Sequence, residues 1–259
     1  AAHRAGLPVA EPVWLEPAPT ALGAPFMLTR RCDGQSPGTW RGFDAPDHAA
    51  TRSAVGHLAE VLAQLHQLPL AACGFPDAHT TSTETRMQRE LDYRWHKWQH
   101  DSLAPFPVIE CAFARLRREC RHGLGAPVLV HGDVLPHNLL VDAGRITALL
   151  DWEFAHPGDP AEDLAYCRAA VEAVMPWPQF MQRYRDAGGP ALSARRLAIY
   201  GLFGLVRNSA LLASAAQLHA QGVIDDFTTA AIGHLSLPMM ETLIGAQLHA
   251  LDTLREDEA

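Results

Sequence analysis

The sequence predicts an α+β chain: a small β remnant, then a mostly helical domain with a short β-hairpin at its centre. Three observations carry this. Apolar residues recur at helical spacing from Asp47 onward and again after Pro160. The runs Leu139-Leu140-Val141 and Ile146-Thr147-Ala148-Leu149-Leu150, separated by Asp142-Ala143-Gly144, have the form of two strands and a tight turn. The first 48 residues are rich in Pro and Gly and lack a helical period.

In chain order, the segment from Pro8 to Leu15 and the run Pro25-Phe26-Met27-Leu28-Thr29 read as short strands, the second closing at the turn Cys32-Asp33-Gly34. Val55, Leu58, Ala59, Leu62, Leu65 and Leu68 then mark a helix that ends before Pro69. Two more helices are expected over Thr83–His100 and Val108–His122. Val128-Leu129-Val130 opens the β-like middle. Beyond Pro160, helices are expected at about 160–174, 177–187, 191–220 and 223–254, broken at Pro176, Gly188-Gly189-Pro190 and Gly222. The acidic end, Arg255 to Ala259, is expected to fray.

Composition narrows the function classes. With 259 residues, 48% hydrophobic and 19% charged, the chain can bury a full core as one large domain or two small ones. A formal net charge of −8 disfavours a nucleic-acid partner. No uninterrupted apolar run reaches the roughly 18–20 residues of a membrane span, so no membrane partner is expected. The start lacks a charged region followed by an apolar core, and the five scattered cysteines include no Cys-x-x-Cys. A disulfide framework and a structural zinc site are therefore disfavoured, and the expected location is the reduced cytoplasm. Lys97 is the only lysine; the other 20 basic residues are arginines. No Gly-x-Ser-x-Gly occurs, which removes the simplest hydrolase reading.

Reactive side chains concentrate around the hairpin. His131-Gly132-Asp133-Val134-Leu135-Pro136-His137-Asn138 enters it, and Asp151-Trp152-Glu153 leaves it. The two ends of a hairpin are close in space, so Asp133, Asn138 and Asp151 are expected to converge. Magnesium prefers oxygen ligands and keeps several waters, so one carboxylate and one amide oxygen suffice beside phosphates. A further carboxylate can orient a hydroxyl and accept its proton. An Asp, an Asn five residues later, and an Asp after a hairpin is the spacing of a kinase catalytic loop. The blander readings stay beside these. Asp163 could be an N-cap or first-turn acid of the helix from Pro160 or a brace for the loop. Glu153 could support the metal or simply face water. His137 is not expected as a ligand, since magnesium avoids nitrogen. Trp95 and Trp98 are expected to pack, and Arg207 to take a surface or buried ion-pair role.

The segment His131-Gly132-Asp133, Asn138, Asp151-Trp152 resembles the signature of the aminoglycoside phosphotransferase and choline kinase superfamily, which has a protein-kinase-like fold. Gly158-Asp159-Pro160-Ala161-Glu162-Asp163-Leu164-Ala165 is similar to that superfamily's next motif. The Asp-Trp-Glu form resembles the branch related to the kinase-like domain of some acyl-CoA dehydrogenases. The resemblance is strong over 128–166. Over 5–127 it rests on Ala5–Val9 and on Pro25–Gly34; beyond Arg168 only helical character matches. It implies ATP-dependent transfer of the γ-phosphoryl group to a hydroxyl of a small molecule. Asp133 would be the catalytic base, and Asn138 and Asp151 would hold Mg2+ against ATP. His131 would brace the loop, and Asp163 would hold it through backbone hydrogen bonds. The backbone around Arg30, Arg31 and Cys32 would be the hinge that meets adenine. Residues 1–34 would then be the remnant of the N-terminal lobe with the hinge, and 35–259 the helical C-terminal catalytic lobe. The helices after 168 would wall the acceptor site.

One departure matters. The superfamily carries a phosphate-covering loop and a phosphate-pairing lysine before the hinge. This chain has no Gly-x-Gly-x-x-Gly, and Lys97 follows the hinge. The expectation is a fragment of a longer protein with its N-terminal lobe truncated. The rival is a non-catalytic, pseudokinase-like binding module. Cationic acceptors such as aminoglycosides or choline fit a negative chain, while the branch resemblance points to a hydroxyacyl thioester.

Overall fold

The computed structural model describes residues 1–19, 22–121 and 124–256. Its strands are β1 (Pro12–Glu16), β2 (Phe26–Thr29), β3 (Gly38–Thr39), β4 (Gly42–Phe43), β5 (Val128–Val130), β6 (Leu139–Asp142), β7 (Arg145–Leu149) and β8 (His156–Gly158). Its α-helices are α1 (Ala49–His66), α2 (Thr83–Asp101), α3 (Pro107–Glu119), α4 (Pro160–Glu172), α5 (Trp177–Asp186), α6 (Ala194–Ala220) and α7 (Phe227–Glu256). Small antiparallel sheets among many helices make this the α+β, mostly helical architecture the sequence predicts. The chain divides into two compact units, Ala1–Ala78 with Val128–Ala191, and His79–Pro127 with Leu192–Ala259.

Among the described residues, the first unit holds every strand. β1 and β2 form an antiparallel ribbon that leaves Val13, Trp14, Leu15, Met27 and Leu28 exposed. β3 and β4 form a second, two-residue-per-strand hairpin. Its only sequence signal is glycine: a side chain at Gly38 would collide with the Gly42 carbonyl oxygen. α1 buries Val55, Leu58, Ala59, Leu62 and Leu65, as the spacing predicts. It stops at His66, so Leu68 lies beyond it; the approach of Pro69 disfavours helical backbone just before it.

The central hairpin is β6 with β7. Its turn is tighter than the sequence reading, because Asp142 pairs with Arg145 and only Ala143 and Gly144 connect the strands. Both have positive φ, 46° and 76°, the mirror-image turn whose twist matches the strands. β5 pairs not with this hairpin but with β8, three residues that no hydrophobic pattern announces. Two earlier segments clamp the hairpin: Leu149 N–H donates to the Pro8 carbonyl at 2.7 Å, and Gln35 and Val141 exchange backbone bonds at 3.0 and 2.9 Å.

The second unit is helical. Trp98 is buried edge-on to Phe106, and Trp95 meets Phe113, so both tryptophans pack. Asp101 is buried at the end of α2, where His100 (2.6 Å), Lys97 (2.7 Å) and Ser214 converge on it. Burial pushes its carboxyl up, but the bonds from these three outweigh burial and bring it down to about 2. Three helix bounds differ from expectation. α3 ends at Glu119, and His122 lies outside the described residues. α6 starts at Ala194 because Ser193 caps it, accepting the Arg196 N–H at 3.1 Å. α7 starts at Phe227, where Asp226 accepts the Thr229 N–H at 2.7 Å. The expected fraying beyond Glu256 also lies outside the described residues. α6 is long and apolar enough to cross a membrane by length and composition, yet 61% of its most apolar stretch is buried in the protein.

β8 is tied to α4 through His156. Its Nδ1–H donates to the Phe154 carbonyl at 2.8 Å, and its Nε2 lies 3.3 Å from Glu162. Both ring nitrogens face acceptors, which suits the cation. Burial opposes that charge, but the Glu162 bond and charge outweigh it and push the pKa up to about 9. A histidine whose folded pKa exceeds its unfolded 6.5 contributes stability that is complete below 6.5 and is lost as pH rises through 9. The ring is 43% exposed, so solvent screening keeps the contribution to about 1 kcal/mol or less. Thermal melts from pH 6 to 10 should therefore fall more steeply for the native protein than for His156→Gln. Parallel curves would contradict the pairing.

Candidate active site

The loop between β5 and β6 is built around two backbone demands. Gly132 has φ 83°, and a side chain there would sit 2.8 Å from the Phe154 carbonyl oxygen and 2.9 Å from its Cβ. Only glycine meets both conditions. His131 is fully buried and spans two strands of chain. Its Nδ1 accepts the Asp133 N–H at 3.2 Å, and its Nε2–H donates to the Leu150 carbonyl at 2.8 Å. These partners fix the tautomer with hydrogen on Nε2. The Trp152 ring stands edge-on to it at 4.8 Å, held by its own Nε1–H on the Leu149 carbonyl at 2.9 Å.

Asp133 and Asn138 meet directly. The Asn138 amide donates to the Asp133 carbonyl oxygen at 2.9 Å and to its carboxylate at 2.7 Å. Both amide hydrogens are thus spent on Asp133, and Oδ1 is left as the acceptor end. Asn138 lies across from Leu150, whose N–H donates to its carbonyl at 2.8 Å, so Asp151 follows directly beside it. Asp151 is exposed, at φ 61°, a left-handed conformation that costs a non-glycine residue about 1–3 kcal/mol. Among the described residues its carboxylate has no hydrogen-bond or ion-pair partner. The structure therefore brings Asp133 onto Asn138 and sets Asp151 next to Asn138. Glu153 is exposed, and His137 Nε2 lies 3.9 Å from the Asp133 carboxylate.

Asp163 lies behind this loop, fully buried. Its Oδ2 accepts the His131 N–H at 2.8 Å, and its Oδ1 accepts the Gly132 N–H at 2.7 Å. Asp159, not Asp163, caps α4, accepting the Ala161 N–H at 2.8 Å. Asp163 also receives His66 Nε2 at 3.1 Å, and His66 Nδ1 lies 2.7 Å from the Tyr184 hydroxyl. Burial raises the Asp163 carboxyl, but the bond from His66, then His131, outweighs it and holds the group below the ordinary carboxylate range. His66 and Tyr184 are absent from the sequence reading. Each ends an otherwise apolar helical pattern, and nothing in spacing separates such a residue from ordinary core.

The segment Arg30–Cys32 runs between the ribbon and the hairpin. Arg30 is tied to Glu11 by a backbone bond of 2.9 Å and an ion pair of 2.5 Å. Arg31 is exposed and Cys32 half-buried, and among the described residues their backbone N–H and carbonyl groups have no partner. The chain then docks: the Asp33 carbonyl accepts the Thr147 hydroxyl at 2.5 Å. Gly34, at φ 113°, lets it lie there, since a side chain would sit 3.0 Å from the Val141 carbonyl.

The donor set fits a hard cation. Asn138 Oδ1 and the Asp151 carboxylate are oxygen donors with no hydrogen-bond partner among the described residues. No group of three His, Cys, Asp or Glu among the described residues is placed to hold a metal ion.

Residues 1–200 match the family described as the phosphotransferase enzyme family. "Acyl-CoA dehydrogenase family member 11" of Gallus gallus is 29% identical over 167 residues, covering 62% of this chain and 21% of that protein. The chain thus spans about a fifth of that relative's length. Among solved structures, a candidate aminoglycoside phosphotransferase from Ralstonia eutropha superposes with a TM-score of 0.78 at 17% identity, over 96% of this chain and 80% of its own. A choline/ethanolamine kinase family protein from Mesorhizobium loti gives 0.64 at 18% identity, over 96% and 79%. With the loop, the hairpin and this match over most of its length, the chain has a kinase-like fold and belongs to the phosphotransferase enzyme family.

Proposed function

We propose that this phosphotransferase is an ATP-dependent small-molecule kinase with an alcohol-group acceptor. The observation that carries the reading is the Asn138 amide, which spends both hydrogens on Asp133, while the Leu150 N–H on the Asn138 carbonyl brings the backbone just before the exposed Asp151 to the same place. Asp133 orients the acceptor hydroxyl and takes its proton as the oxygen forms its bond to phosphorus and the bond to the ADP oxygen breaks. Asn138 Oδ1 and Asp151 would hold Mg2+, which when bound supplies charge neutralisation on the phosphates. The open backbone groups of Arg31 and Cys32 pair with the adenine edge, and Arg30 anchors that hinge through Glu11. Asp163 and His131 keep the loop in shape. In this reading 1–34 carries the remnant and hinge and 35–259 the catalytic lobe. All five cysteines are free thiols, which supports a cytoplasmic setting.

The acceptor is a small molecule bearing a hydroxyl. The chicken relative's name points to acyl thioesters, the two structural neighbours to aminoglycosides or choline-like alcohols. ADP release from the complete protein, screened over a hydroxyacyl thioester, an aminoglycoside and choline, separates these.

A second reading, a non-catalytic nucleotide-binding module, is favoured by one observation: the only lysine is engaged with Asp101 at 2.7 Å. Nucleotide binding with no ADP release on any acceptor would establish it.

Two substitutions test the first reading. Asp133→Asn in the complete protein should lower turnover about 10²–10⁴-fold with its melting temperature nearly unchanged; retained turnover removes Asp133 from the role. Asp151→Ala should weaken magnesium-dependent ATP binding far more than adenosine binding, measured by calorimetry, because the carboxylate acts through the phosphates. Equal loss for both ligands would show that Asp151 shapes the fold instead.

A further inference from the structure

Beneath the Asp133 loop runs a line of buried polar groups. α5 supplies Tyr184, α1 supplies His66, and α4 supplies Asp163. The side chains of His66 and Asp163 are both completely buried. A carboxylate carries no hydrogen, so His66 Nε2–H is the donor at 3.1 Å to Asp163 Oδ2. The Tyr184 hydroxyl, 2.7 Å from Nδ1, then fixes the ring's rotation and tautomer.

The sharing of one oxygen gives this line its leverage. Oδ2 accepts both His66 Nε2–H and the His131 N–H, and Oδ1 accepts the Gly132 N–H. A buried carboxylate that loses a donor has no water to replace it. Asp163 then relieves the loss by rotating or by taking a proton, and either loosens its hold on His131 and Gly132. Gly132 immediately precedes Asp133, and the Asp133 N–H rests on His131 Nδ1. The disturbance therefore ends at the reacting carboxylate and not at the adenine segment.

We propose that His66 is a positioning residue for phosphoryl transfer. It acts through Asp163 to set the Asp133 loop, with Tyr184 holding the ring in register. Only the kinetic half of this statement rests on the kinase reading. The structural half concerns two backbone amides and can be measured without turnover.

The test compares His66→Gln with His66→Asn in the complete protein. A glutamine amide nitrogen reaches the place of Nε2 and keeps a donor on Asp163; the shorter asparagine does not. Hydrogen exchange at the His131 and Gly132 amides, and kcat with KM for ATP, are the readouts. In His66→Asn, exchange at both amides should quicken about tenfold or more. Its kcat should fall about 10- to 100-fold with KM for ATP held within about twofold. His66→Gln should stay within about threefold of the native protein in every readout. Equal impairment of the two variants, unchanged exchange in the asparagine variant, or a rise in KM at constant kcat would each overturn the proposal. If His66→Asn does not fold, Tyr184→Phe, which keeps the ring volume, decides. Faster exchange at the same two amides upholds the line, and native exchange overturns it. A native protein that turns over no acceptor would undo the kinase reading, while the exchange contrast would still decide the role of His66.

Discussion

A single buried carboxylate organises the site. Asp163 takes two consecutive backbone N–H groups, from His131 and Gly132, one on each oxygen. Left unpaired in the interior, those amides would each cost free energy comparable to a lost hydrogen bond, so loop and helix α4 are bound to one geometry. The glycine at 132 is the other half of the same constraint. Its positive φ turns both N–H groups toward α4, and its missing side chain lets the Phe154 carbonyl come close.

From that anchor the polar groups sort by orientation. His131 links the start of the loop to the far end of the hairpin, touching the Asp133 N–H on one nitrogen and the Leu150 carbonyl on the other. Asn138 is buried and turns its amide nitrogen onto Asp133. Asp151, one of two non-glycine residues with positive φ among the described residues, is also one with an uncommitted carboxylate. Strain of this kind persists only where the surroundings over-determine it, and here Leu150 is pinned on both sides of its peptide, by Asn138 and by His131.

Much of this was legible in the sequence, and for a physical reason. Asp133, Asn138 and Asp151 are separated by a turn and two short strands, so local geometry alone brings them together. α1, α2 and the β6–β7 hairpin were legible because each has an apolar face with a clear period. β8 was not, since His-Pro-Gly has neither alternation nor β-branching and owes its strand geometry to β5. The β3–β4 hairpin is too short for any period, and α6 and α7 begin where caps at Ser193 and Asp226 permit, not where apolar residues start. His66 and Tyr184 escaped for a different cause: a polar residue ending an apolar stripe looks the same whether it faces water or a buried acid, and only tertiary structure distinguishes the two.

The sequence separations of these contacts order the making of the protein. Ser36 reaches the Pro136 carbonyl across 100 residues, His66 reaches Asp163 across 97, and Tyr184 reaches His66 across 118. Contacts this distant close slowly, because the loop entropy must be lost before they form. On the ribosome, the HGD loop emerges well before the helix that braces it. α1 must wait, with its histidine uncompensated, until α4 and then α5 are synthesised. The working geometry of the loop is therefore among the last features of the first unit to form, and a nascent chain stopped short of Tyr184 would display the motif without the arrangement that gives it meaning.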